Sequence, residues 1–87
     1  MFEVTLQVNE LQEVYELSKS LGGINCDMDL MTEHRRFVVD AKSLLGILSL
    51  DLSKPLVLKA YTDDKKVKDE IMAVAGRYGF GRGHREE

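Results

Sequence analysis

Tryptophan is absent from this chain of 87 residues, which holds one cysteine and one proline. A single Cys26 cannot close an internal disulfide, which suits a reducing compartment. One proline leaves nearly the whole chain free for regular structure. No apolar run approaches the roughly 18 residues of a membrane span, and the start Met1-Phe2-Glu3-Val4 is no basic-then-apolar leader. A cytoplasmic protein with no membrane span is therefore expected. Positive charge is not in excess either: 12 Lys and Arg stand against 15 Asp and Glu, a net charge of −3. That balance argues against binding nucleic acid through its phosphates. Arg35, Arg36, Arg77, Arg82 and Arg85 would have to make such contacts, but no aromatic pairs alternate on a strand as an RNA-binding sheet requires.

Reactive constellations are also missing. No Ser-His-Asp, Cys-His or paired-carboxylate arrangement is visible, so no enzyme and no cofactor is expected. Cys26, His34 and His84 match no metal-ligand spacing. His34 belongs to a polar turn and His84 to the tail, and both read as solvated. Asp27 and Asp29 share a strand face, and a wet acidic face accounts for them.

What is present is the composition of one small folded domain. Hydrophobic residues make up 44% and charged residues 31%. Residues 2–8 alternate as a strand, with Phe2, Val4, Leu6 and Val8 on one side. Asn9 then reads as a helix N-cap with Gln12 three residues on, and Leu11, Val14, Leu17, Ser18 and Leu21 mark a helix face. Gly22 and Gly23 supply a left-handed stop. Ile24, Cys26, Met28 and Leu30 alternate with Asn25, Asp27 and Asp29 as a second strand. A turn over residues 32–35 returns the chain as a strand over 36–40, with Phe37 and Val39 or Val38 facing in.

Ser43 reads as the N-cap of a second helix whose apolar positions are Leu44, Leu45, Ile47, Leu48, Leu50 and Leu52. Pro55 opens a fourth strand through Leu56, Leu58 and Ala60. Asp63 or Asp64 caps a third helix with Val67, Ile71, Val74, Ala75 and Tyr78 buried. Residues 81–87 read as a loose tail behind a domain spanning 1–80. The order is β-α-β-β-α-β-α.

Within this order, Asp40-Ala41-Lys42-Ser43-Leu44-Leu45-Gly46-Ile47-Leu48-Ser49-Leu50 resembles the second-helix segment of the HPr (histidine-containing phosphocarrier) family of the bacterial phosphotransferase system. In that family Lys-Ser precedes an apolar turn, a Gly and a Ser-Leu ending. The resemblance extends over about residues 2–78. It implies an α+β fold, an open-faced β-sandwich with a four-stranded, mostly antiparallel sheet and three helices on one face.

The family carries phosphate on a histidine just after the first strand, in a Gly-x-His-x-Arg-Pro motif. Imidazole is a reversible phosphoryl acceptor, and a helix N-terminus with a nearby Arg steadies the phosphate. The matching stretch here, Val8-Asn9-Glu10-Leu11-Gln12-Glu13-Val14, has no His, Arg or Pro. Glu10 and Glu13 place negative charge where the phosphoryl group would sit, so the phosphocarrier reaction is expected to be lost.

The family's regulatory serine maps onto Ser43. In low-GC Gram-positive members it is phosphorylated by a dedicated serine kinase, and the phosphoprotein then binds a transcription regulator. The resemblance thus implies a regulatory, partner-binding protein. Its expected partners are a serine kinase, a transcription regulator or phosphotransferase-system components. Ser43 is the candidate phosphorylation site, and Leu11, Leu44, Leu45, Ile47 and Leu48 are candidate docking residues, because a short helix cannot bury them all. A plain helix cap is the simpler role for Ser43. A genuine phosphotransfer component with an unusual acceptor, and an ACT-like small-ligand regulatory domain of the same element order, are the alternatives.

Overall fold

A computed structural model describes residues 1–78 and the backbone of the pair 85–86. The elements are β1 (Phe2–Leu6), α1 (Leu11–Gly22), β2 (Met28–Thr32), β3 (Val38–Asp40), α2 (Leu44–Leu48), β4 (Leu56–Ala60), α3 (Lys65–Gly76) and β5 (Arg85–Glu86). The sheet runs β3-β2-β4-β1-β5, and every pair in it is antiparallel. The four main strands carry the core, and β5 adds two residues beside Phe2 and Glu3. That pairing involves part of the segment expected to be a loose tail; the rest of that segment lies outside the described residues.

The alternation legible in the sequence decides which sheet face is dry. Phe2, Val4 and Leu6 on β1, Met28 and Leu30 on β2, and Leu56, Leu58 and Ala60 on β4 are all buried on one face. Three helices cover that face. Val14, Leu17 and Leu21 of α1, Ile47 of α2, and Ile71, Val74 and Ala75 of α3 complete a single core. The fold is α+β with an open-faced sheet.

Local chemistry explains where several boundaries differ from expectation. Helix α1 is capped at Glu10, one residue after the expected Asn9. The Glu13 carboxylate, rather than Gln12, accepts from the backbone N–H groups of Asn9 (2.6 Å) and Glu10 (3.1 Å). At the other end Gly23 keeps a right-handed φ of −83°. The last turn closes by the Gly23 N–H donating to the Ser20 carbonyl, so no left-handed stop is used. Helix α2 ends after five residues, and Leu50 and Leu52 fall in the turns that follow. The Asp64 carboxylate caps α3 through the Lys66 N–H (2.9 Å).

The opposite sheet face is less wet than its acidic residues suggest. Met31 and Val57, paired across β2 and β4, are buried there, and so is Glu3. Arg35 reaches from the β2–β3 turn to the Glu3 carboxylate (2.5 Å). It does so from a left-handed backbone with φ 58°. Side chains pay a steric penalty there, and this one is held by a partner 32 residues away in sequence. On the same face the Tyr61 hydroxyl donates to Asp29 Oδ2 (2.7 Å), and that hydrogen bond pushes the Tyr61 phenol above its ordinary range.

Candidate functional site

Nearly every residue of the segment 40–49 has a structural task. The Asp40 carboxylate accepts from the Lys42 N–H (2.9 Å) and the Asp40 carbonyl from the Ser43 N–H (3.0 Å), which turns the chain into α2. Ala41 is fully buried. Lys42 spends its ammonium on the Ile24 carbonyl (2.7 Å) and so ties α2 to the loop after α1. Ser43 Oγ accepts from the Gly46 N–H (3.2 Å), the cap that residue type suggests. Gly46 lies in close approach to β3: a Cβ there would stand 3.0 Å from the Val39 Cβ and would push it aside by a few tenths of an ångström. Ser49 Oγ donates to the Gly46 carbonyl (2.6 Å) and closes the helix.

The leucines and the isoleucine divide. Ile47 is fully buried and Leu44 is half-buried against the core. Both were candidate docking residues. Ile47 is removed from that set, because a five-residue helix lying on Val39 turns it inward. Leu44 keeps only a partial surface. Leu45, 81% exposed, and Leu48, 36% exposed, have no comparable burial. Leu11 opens α1 with 56% of its surface exposed. It helps line a shallow groove of about 320 Å³ with Val8, Val14 and Leu52, where the start of α1 meets the segment after α2. Three exposed leucines thus belong to two helices that pack on each other.

The start of α1 has a specific electrostatic arrangement. A phosphoryl group at this position would need the free N–H groups of the first helical turn. The Glu13 carboxylate folds back to this end and accepts from the N–H groups of Asn9 and Glu10, just ahead of the first turn. The chain's own anion thus stands at the helix start, and Glu10 adds a second negative charge beside it, so a phosphoryl group there would meet repulsion. No described imidazole lines the groove at this end of α1. His34 lines a different groove, of about 210 Å³, with Arg36, Phe37, Asp51 and Lys54 at the hairpin end of the sheet. His84 lies outside the described residues.

Cys26 is half-buried against the core, and its thiol donates to the neighbouring Asp27 carbonyl (3.3 Å). Among the described residues no three His, Cys, Asp or Glu side chains are grouped to hold a metal ion. No described helix is long and apolar enough to cross a membrane.

Two features of this region were missed in the sequence. The link from Lys42 to Ile24 needs the loop after α1 to be placed against α2, and no local pattern signals it. The anchoring role of Glu13 had a signal, the Glu10-x-x-Glu13 spacing, which the stronger capping residue Asn9 masked. No family model matches the chain, and no curated protein matches it.

Proposed function

We propose that this chain is an HPr-like, non-catalytic regulatory protein that binds protein partners through the exposed apolar surface of α2 and the start of α1, with Ser43 as its phosphorylation site. One observation carries the reading. In the segment 40–49 the other residues are used to build and seat α2, while Leu45 stays 81% exposed and Leu48 lies beside it on the same short helix. Exposed apolar side chains mark an interaction site when they gather rather than scatter, and Leu45, Leu48 and Leu11 lie on two helices that pack on each other. A docking surface is a reason to keep them.

The strand order, with β1 beside β4 and β2 between β4 and β3, and the three helices on one face are compatible with that family's open-faced sandwich. The Glu13 carboxylate at the start of α1 supports a protein that no longer takes phosphate at the family's active centre.

Phosphorylation at Ser43 is a transfer from ATP. The Ser43 oxygen attacks the γ-phosphorus, the bond to the β,γ-bridging oxygen breaks, ADP leaves, and the hydroxyl proton passes to a base on the kinase. The product adds about −1.5 to −2 charges at pH 7 and three acceptor oxygens. Ser43 is half-exposed, so the hydroxyl is within reach. A phosphate oxygen can replace Oγ as acceptor of the Gly46 N–H, and the new charge would stand two residues before Leu45.

The test is intact-mass analysis after incubation with an HPr serine kinase and ATP. One phosphoryl group is expected on the parent and none on Ser43→Ala. Leu45→Lys, folded and with Ser43 intact, is expected to be phosphorylated more slowly because its docking surface is spoiled. A folded parent that gains no phosphate reduces Ser43 to a helix cap and overturns this part of the proposal.

A further inference from the structure

Strand β3 ends the sheet on the side away from β5, and no described strand pairs with its outer edge. The hydrogen-bond pattern on its inner side can be followed residue by residue. The Ala41 N–H donates to the Met28 carbonyl and the Thr32 N–H to the Phe37 carbonyl. Residues of an antiparallel strand alternate between inward and outward bonding. Phe37, Val39 and Ala41 therefore bond inward to β2. The N–H and C=O of Val38, and the N–H of Asp40, point away from the sheet.

Native sheets protect such an edge with charged side chains, Pro, a bulge or shortness, and β3 has only shortness and its flanking charges, Arg36 and Asp40. Here the edge reads Phe37-Val38-Val39, with Phe37 67% and Val38 50% exposed. We propose that this edge pairs with the same edge of a second copy, in antiparallel register about a two-fold axis at Val38, to give one sheet running through a dimer.

Three features select a second copy as the occupant. The outward N–H and C=O of Val38 form a reciprocal pair only if the facing residue also bonds outward, and Val38 of the second copy does. In that register Arg36 stands opposite Asp40 of the second copy, and the reverse pair forms at the other end, so both contacts join opposite charges. Val38 shares a sheet face with Met31, its partner on β2, and Phe37 and Val39 share the other face with Leu30. Cross-strand neighbours lie on one face, so Phe37 falls against Val39 of the second copy, beside α2. This surface is separate from the α1–α2 docking surface proposed above.

The experiment is sedimentation equilibrium of the full chain over a range of concentrations. It compares the parent with Arg36→Glu, Arg77→Glu and Asp40→Lys, each confirmed folded by circular dichroism. Arg77 lies exposed just after α3, away from the edge, so its variant carries the same change in net charge as Arg36→Glu without touching the contact. The parent is expected to dimerise reversibly. Arg36→Glu turns both charge pairs repulsive and is expected to weaken the dimer about tenfold, while Arg77→Glu leaves it near the parent.

Asp40→Lys also removes an acceptor of the Lys42 N–H, so its value lies in mixing. An equimolar mixture of Arg36→Glu and Asp40→Lys is expected to form a heterodimer, because each charge again meets its opposite. A parent that stays monomeric up to about 1 mM, the weak end of specific association, overturns the proposal. A dimer unaffected by Arg36→Glu, or one weakened as much by Arg77→Glu, also overturns it.

Discussion

Replacing Glu13 by Ala removes the acceptor for the Asn9 and Glu10 N–H groups and leaves both without a protein partner at the helix start. Both groups lie at the surface, so water takes over part of the loss. The cost is then that of an ordinary N-terminal cap, about 1 kcal/mol. Unfolding entropy of about 2.1 cal/mol/K per residue gives about 0.18 kcal/mol/K for 87 residues, so the melting temperature should fall by about 5–6 °C. Glu13→Gln keeps an acceptor oxygen and should recover about half of the loss or more, separating the hydrogen bond from the charge. The assay is thermal unfolding followed by circular dichroism at pH 7 and constant salt. If Glu13→Ala melts with the parent, the carboxylate does not anchor the start of α1. If Glu13→Gln falls as far as Glu13→Ala, charge rather than the hydrogen bond is responsible. Either result would refute the argument that this carboxylate anchors the start of α1 through its two hydrogen bonds.

Other outcomes follow from burial and capping. Ile47→Ala should cost about 2–5 kcal/mol because Ile47 is fully buried, whereas Leu45→Ala, at a site 81% exposed, should change stability by less than about 0.5 kcal/mol; urea unfolding of the two variants checks the contrast. Ser43→Ala loses its bond from the Gly46 N–H and should destabilise by about 1 kcal/mol in the same assay, with or without a kinase in the cell. At high pH, the hydrogen bond to Asp29 raises the Tyr61 phenol and burial raises the Tyr78 phenol. Folded values above unfolded ones mean that both tyrosines favour the native state below the ordinary tyrosine range. That contribution is lost as pH rises through their raised values, so stability should decline there, and Tyr61→Phe should flatten the decline.

The elements most legible in the sequence are those with one clean period. Leu56, Leu58 and Ala60 alternate without interruption, and β4 occupies that run between Pro55 and Tyr61. Asp64 and Ser43 were readable as caps because their short oxygens reach an N–H two or three residues ahead. The end of α2 was not, because Leu50 and Leu52 carry on an apolar pattern after Ser49 has closed the helix.

Phe37 was expected to face in. It is mostly exposed because it lies just before a three-residue edge strand. Burial of Met31, Val57 and Glu3 on the second sheet face runs against the alternation that makes that face look wet. For Glu3 it comes with a tertiary partner, Arg35, distant in sequence. For the candidate site, the segment 40–50 could be picked out from residue types alone. Its division into Ile47 inside and Leu45 outside needed the angle at which a five-residue helix lies on Val39.

The central claim is that this chain acts by binding, with no phosphate carried at the start of α1. Incubation with phosphoenolpyruvate and the first enzyme of the phosphotransferase system, followed by intact-mass analysis under conditions that preserve phosphohistidine, tests it most directly. The account predicts an unchanged mass, with an HPr that retains its active-centre histidine phosphorylated in the same tube. A phosphoryl group transferred to this chain, on His34, His84 or any carboxylate, would contradict it.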